Sequence, residues 1–325
     1  MSWSEAGGAV PALAMLAALA VDRWLGEPPA RWHPVVWIGH WLGWAGRRVA
    51  PLAGSGRAGR DLAAFARGAL AWCAGAALVL LCAWALQAWL LARLPGWLAA
   101  LALGLLLKPL LAWAMLRREV QAVEVALQQS LELGRERLSW LCSRDTSALS
   151  ASQVREAALE SLAENLNDSV IAPLFWFALA GLPGAALYRY ANTADAMWGY
   201  RGERAGQIWE WAGKWAAHVD DVLSWLPARL SALLLALAAG GASLQRLWRE
   251  SRRTPSPNGG WPMGALALAL GVRLGKPDVY TLNPDGRAPV HADTGRGCVL
   301  AGRAVLLVVL CAATVMTLQA GSLHG

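Results

Sequence analysis

The sequence is short of the devices that hold most small-molecule enzymes together. Its five cysteines include Cys73, Cys82 and Cys311 inside apolar runs, and no CxxC pair occurs, so neither a disulfide framework nor a zinc site is indicated. There is no GxxxxGK[ST] loop and no GxGxxG after a strand, which excludes both familiar ways of cradling a nucleotide. Paired internal repeats, the mark of many transporters, are absent. No basic residue precedes the first apolar run, where Glu5 is the only early charge. That run is therefore expected to be an uncleaved span, although Ala18, Leu19 and Ala20 imitate a cleavage site.

What is present is apolar surface. Of 325 residues 56% are hydrophobic, twenty are tryptophan, and the mean hydropathy is +0.36, too high for an ordinary soluble domain. The formal charge of +7 comes almost entirely from arginines in the loops between apolar runs. Such a distribution sets orientation in a membrane and excludes a nucleic-acid partner. The pattern predicts an all-α, polytopic integral membrane protein whose partner is the lipid bilayer, forming a single domain over 1–325. About four clear spans are expected, near 6–21, 68–91, 98–116 and 299–318. A cytoplasmic or interfacial catalytic region would cover about 117–298. The apolar runs 170–187 and 222–239 within it, interrupted by Pro173, Pro183 and Pro227, are expected to be buried or re-entrant. Lys108 stands inside a span with no partner visible in sequence, and Asp22, Glu27, Arg31 and His33 cluster where the first span ends. His33 taken alone reads better as a capping or loop histidine than as a site residue.

The polar centre of the chain is EAALESLAENLNDSVIAP. Glu156, Glu160, Glu164 and Asp168 recur every fourth residue, an acidic stripe opposite Leu159, Leu162 and Leu166. Ser150 and Gln153 form a capping box that starts this helix. No basic residue stands three or four places from Glu160. The stripe is expected to face outward, either solvated or compensated by a divalent cation or by arginines from another segment.

Four separated stretches, ESLAENLNDSVIAPLFWFALAGLPGAALYRYANTADAMWGYR, HVDDVLSWLPARLSALLL, SPNGGWPMGALALALGVRLGKPDVY, and DRWLGEPP with HPVVWIG, resemble the adenosylcobinamide-phosphate synthase family, also called CbiB or CobD. The departures are LND at 166–168, where many members have a Thr-Ser-Asp type run, and His218, where arginine is common. The resemblance implies a bacterial inner-membrane, multi-pass enzyme of late cobalamin biosynthesis with its site facing the cytoplasm. Its reaction would join the propionate carboxylate of adenosylcobyric acid to aminopropanol or aminopropanol phosphate, with ATP and Mg²⁺, possible neighbours being other late-pathway membrane enzymes. A corrinoid transporter and a non-catalytic scaffold are the rival readings.

That chemistry needs an activated carboxylate, a deprotonated amine and neutralised phosphates, which assigns roles by residue type. Glu160, Glu164, Asp195 and Lys214 are the acid–base candidates. Asp168, with the adjacent Asp220 and Asp221, are the Mg²⁺ candidates. Asp22, His33, Asn165, Asn192, Tyr200, Arg201 and Arg229 are the substrate-binding candidates. Asn192 and Asp195 share a helical face, which describes a buried polar network as well as a site. Arg252, Arg253, Asn258, Gly259 and Gly260 in RRTPSPNGGWP read as a phosphate cradle or as an interfacial turn.

Overall fold

The structure, a computed structural model, describes residues 9–54 and 59–322. Its helices are α1 (Ala9–Leu25), α2 (Pro34–Val49), α3 (Leu62–Arg93), α4 (Gly96–Leu107), α5 (Trp113–Gln129), α6 (Leu131–Leu138), α7 (Ala151–Leu166), α8 (Ala172–Trp198), α9 (Lys214–Ala238), α10 (Leu244–Ser251), α11 (Gly260–Leu270) and α12 (His291–Ser322). Two small antiparallel hairpins, β1 (Glu203–Arg204) with β2 (Gln207–Ile208) and β3 (Leu274–Lys276) with β4 (Tyr280–Leu282), complete it. Five segments, Leu62–Arg93, Gly96–Gln129, Ala151–Trp198, Lys214–Ala238 and His291–Thr314, are long and apolar enough to cross a membrane. The chain is an all-α polytopic membrane protein.

The expected spans at 68–91 and 98–116 fall inside two of these segments, the one at 299–318 lies within α12 and overlaps the last segment over 299–314, and α1 covers 9–21 of the first; residues 6–8 lie outside the described residues. The prolines behave differently from expectation. Pro173 ends no helix, since α7, the turn at Asn167–Ile171 and α8 run on through it and the Ser169 carbonyl four residues earlier accepts from the Ala112 amide at 3.0 Å instead, and α9 runs through Pro227 without ending. The break in α8 falls at Gly181, with φ 68° and ψ −157°. Gln87 of α3 fills the gap: its side-chain oxygen accepts a hydrogen bond from the Leu182 amide at 2.7 Å. A Cβ at position 181 would strike the Gln87 side chain, so glycine is required by conformation and by space.

The chain divides into two compact units, one of Met1–Leu111, Pro173–Leu223 and Ala312–Gly325, the other of Ala112–Ala172 and Ser224–Cys311. In the first, a buried cluster of Leu42, Trp72, Tyr190, Trp198 and Trp209 joins α2, α3 and α8. Gly75 on α3 lets the Tyr190 ring approach, and the Tyr190 hydroxyl donates to the Trp72 carbonyl at 3.0 Å. Small residues permit the same closeness between α1 and α4, where a Cβ on Gly104 would lie 2.7 Å from the Ala14 carbonyl.

In the second unit α7 packs on α5 and α6 through Val123, Leu127, Leu138, Val154, Ala157 and Ala158. Ser150 and Gln153 form the expected capping box, and Leu159, Leu162 and Leu166 are fully buried. The helix leaves α-geometry at Asn167–Ile171, one π turn, which aims Asn167 inward to accept from Ser231 at 2.9 Å. Arg155 grips the buried Glu124 carboxylate with Nε at 2.9 Å and Nη2 at 2.8 Å. Thr294 donates to the same carboxylate at 3.0 Å and His291 lies 3.2 Å from it.

Candidate functional site

The acidic stripe does not face outward. Glu156 and Glu160 are 4% and 1% exposed, because neighbouring segments supply the cations that their own helix lacks. Arg144, in the turn before α7, donates to Glu160 Oε2 at 2.7 Å, and Arg273 lies 3.7 Å from Glu156. Of the alternatives left by the sequence, arginines from another segment are what the structure provides for these two residues. Burial works against the Arg144 charge, yet the Glu160 carboxylate outweighs it and holds the guanidinium above its ordinary pKa. Tyr280 of β4 adjoins Glu160. Burial first, then the Glu160 and Glu164 carboxylates, push its hydroxyl upward, so it stays protonated.

Glu164, one turn on, is exposed and stands among Asp168, Glu160, Arg144 and Lys276. Asp168 accepts from Asn167 Nδ2 at 2.7 Å, and Asn165 turns back to the Ser161 carbonyl at 2.9 Å. Thus Glu160, Glu164 and Asp168 do gather on one side of α7 and the π turn. Sequence reasoning missed their partners Arg144, Arg273, Tyr280 and Lys276. The only available signal was the charged turn RDT ahead of the capping box, since no spacing rule links positions 16 residues apart.

Arg229 and the 252–262 loop also meet in this unit. Arg229 donates to Asn258 Oδ1 at 3.0 Å and stacks on Trp225 and Trp261. The amides of Asn258 and Gly259 are taken by Ser256 Oγ, at 3.3 and 3.0 Å. Gly260 is glycine because a Cβ would strike the Ser251 carbonyl. Arg253 pairs with Glu250 at 3.0 Å, while Arg252 is exposed over Trp248. In this loop, then, the Asn258 and Gly259 amides are already taken, and the exposed cations are the Arg252 and Arg253 side chains.

The remaining candidates belong to the first unit. Asn192 Nδ2 lies 3.5 Å from Asp220 Oδ1 and Arg189 3.4 Å from Asn192 Oδ1, with His218 acting on Asp221. Asp195 occupies room left by the missing side chain of Gly199. Tyr200 donates to the Ala196 carbonyl at 2.8 Å under the Arg204 guanidinium, Lys214 stacks on Trp211, and Arg201 is exposed. Asp22 and His33 form a second group, joined through residues the sequence left unpartnered. Lys108, only 2% exposed, lies 2.6 Å from Glu27 Oε2 and 3.5 Å from Asp22, and His33 reaches the same Glu27 oxygen at 3.3 Å. Arg31 stays outside this network, exposed, offering its carbonyl to Trp37.

Among the described residues no three His, Cys, Asp or Glu side chains converge as a metal cage. The donor set fits Mg²⁺ only in its usual enzymatic form, held by one or two carboxylates with substrate phosphates and water.

Apolar helices long enough to cross a bilayer, carrying buried carboxylate–arginine pairs and an arginine-edged loop, define a polytopic membrane protein with charged clusters buried among its helices. The CobD/Cbib protein family matches residues 15–298, and the chain belongs to that family. The cobalamin biosynthesis protein CobD of Chromobacterium violaceum is 41% identical over 305 residues, covering 91% of this chain and 94% of the relative. The probable cobalamin biosynthesis protein CobD of Methanothermobacter thermautotrophicus is 38% identical over 274 residues, 82% of this chain and 85% of the relative. No solved structure matches the chain.

Proposed function

We propose that the protein forms an amide bond in late cobalamin biosynthesis, attaching aminopropanol or its phosphate to the propionate carboxylate of adenosylcobyric acid at the cost of ATP. The observation that carries this reading is the Glu160 group, seen together with relatives named as cobalamin biosynthesis proteins. Two carboxylates one helical turn apart have opposite surroundings there. Glu160 is buried on Arg144 and beside a protonated Tyr280, and Glu164 keeps exposed surface next to the Glu160 and Asp168 carboxylates. That asymmetry suits an acid–base pair: Glu164 accepts the proton that the amine loses on attack, while Arg144 and Tyr280 steady charge on the acyl oxygen. ATP supplies the phosphoryl group that makes the carboxylate reactive. Arg229, Arg252 and Arg253 answer the phosphates, and Asp168 answers Mg²⁺.

The test is direct. Purified protein in lipid, given adenosylcobyric acid, aminopropanol phosphate and Mg·ATP, is expected to yield the amide by mass spectrometry with stoichiometric nucleotide hydrolysis. Neither product nor nucleotide turnover would favour corrinoid transport or scaffolding.

A further inference from the structure

The proposed chemistry leaves a strongly basic surface of the first unit without a task, where α2 ends. This helix buries Ile38, Leu42, Ala45 and Val49, while Trp37 and Trp44 on its outer side are 51% and 45% exposed. At 16 residues, about 24 Å, α2 is too short to cross a bilayer, and an exposed tryptophan stripe on such a helix belongs at the boundary between lipid and water. Its last turn holds Arg47 and Arg48, both exposed. The β1–β2 hairpin is fastened to that turn: Gln207 Nε2 donates to the Gly46 and Ala50 carbonyls at 3.2 Å, and the Ile208 amide donates to the Pro51 carbonyl at 2.8 Å. Across the hairpin Gln207 pairs with Arg204, which brings a third exposed arginine to the end of α2.

Two glycines place this end at the edge of the hydrocarbon. A Cβ on Gly46 would strike Trp209, and a Cβ on Gly68 of α3 would strike the carbonyl of Ala212, three residues further along the same connection. Leu70, beside Gly68 on the long apolar helix α3, is 71% exposed. A leucine that open on a membrane span meets lipid tails, so the three arginines stand at headgroup depth.

Charge picks the headgroup. In the second unit Arg144, Arg155 and Arg287 sit on carboxylates. Among the described residues Arg47, Arg48 and Arg204 make no such ion pair; Arg48 lies over the Trp44 ring at 4.1 Å and Arg204 over the Tyr200 ring at 3.5 Å. Of the acids in the connection, Glu203 alternates to the other side of the strand from Arg204, and Glu210 accepts from the Gly202 amide at 3.2 Å. A guanidinium laid on a ring keeps N–H groups along its edge for an acceptor, and phosphate oxygens match that fork.

We propose that the end of α2 and the β1–β2 hairpin bind a phospholipid of net negative headgroup charge, its phosphate held among Arg47, Arg48 and Arg204. Tyr200, a substrate-binding candidate from sequence, serves here as the platform under Arg204. The proposed chemistry uses none of these residues, so the two readings fail separately. Full-length protein is reconstituted with equal amounts of phosphatidylglycerol and phosphatidylcholine of identical chains, stripped of annular lipid and examined by native mass spectrometry. Wild type is expected to retain the glycerol lipid about tenfold more often than the choline lipid, and the double variant Arg47→Gln, Arg48→Gln only about twofold more often. Arg93→Gln, at the far end of α3, keeps the wild-type ratio. The substituted side chains are exposed, so thermal midpoints in detergent stay at the wild-type value. Equal retention of both lipids by wild type, a preference that survives loss of all three arginines, an equal fall in Arg93→Gln, or release of the lipid by inorganic phosphate at matched ionic strength would each overturn the proposal.

Discussion

Arginine carries most of the ion pairs among the described residues, and its planar fork explains why. One guanidinium satisfies both oxygens of a buried carboxylate, as Arg155 does for Glu124, leaving less desolvated charge unmatched than a lysine would. The Arg144–Glu160 pair is less complete, since Arg144 Nη1 and Glu160 Oε1 are both buried without hydrogen-bond partners. Removing one partner alone strands the other. Arg144→Met should lower stability by about 3 kcal/mol, and Arg144→Met with Glu160→Gln by clearly less, measured as thermal midpoints in detergent. For activity the expectation differs: Glu160→Gln and Asp168→Asn abolish amide formation while inserting normally into the membrane. Wild-type turnover in both variants would remove α7 from the site.

Among the elements, α8 shows how a side chain replaces main chain inside a bilayer. The amide freed at the Gly181 break has Gln87 for an acceptor, and no water is at hand in hydrocarbon to serve instead. Gln87→Leu should cost about 2 kcal/mol, and Gly181→Ala at least as much through positive φ and the clash with Gln87. Ser150→Ala, which removes half of the capping box, should cost about 1 kcal/mol. Both sets are read from unfolding midpoints. These elements also mark what was legible in sequence. The capping box, the leucine face and the four-residue acidic spacing are local patterns with fixed helical meaning, and each appears where the sequence puts it. Arg144 on Glu160, Arg273 on Glu156 and Gln87 under Gly181 depend on which segments fold against one another, and no periodicity encodes that. Pro183 drew attention to the right turn of α8, but the conformation that breaks it belongs to glycine two residues earlier.

At the scale of the molecule, the basic residues in the connecting stretches decide which side of the membrane each one meets. The segment joining α8 to α9 carries Arg201, Arg204 and Lys214, a charge that resists export, and α8 is broken within its apolar run. A cysteine at Gly202, in a background lacking the native five, should react with an impermeant maleimide from the cytoplasmic side only. Periplasmic labelling would refute a site with all its polar groups on one face. Burial of Lys108 has a practical corollary. Of the three lysines in the chain, Lys108 is enclosed by carboxylates and Lys214 lies against Trp211, so Lys276 alone offers a fully open side-chain amine. An amine-reactive fluorophore thus becomes a near single-site tag beside Glu164, able to report ligand arrival by its emission without any engineered residue.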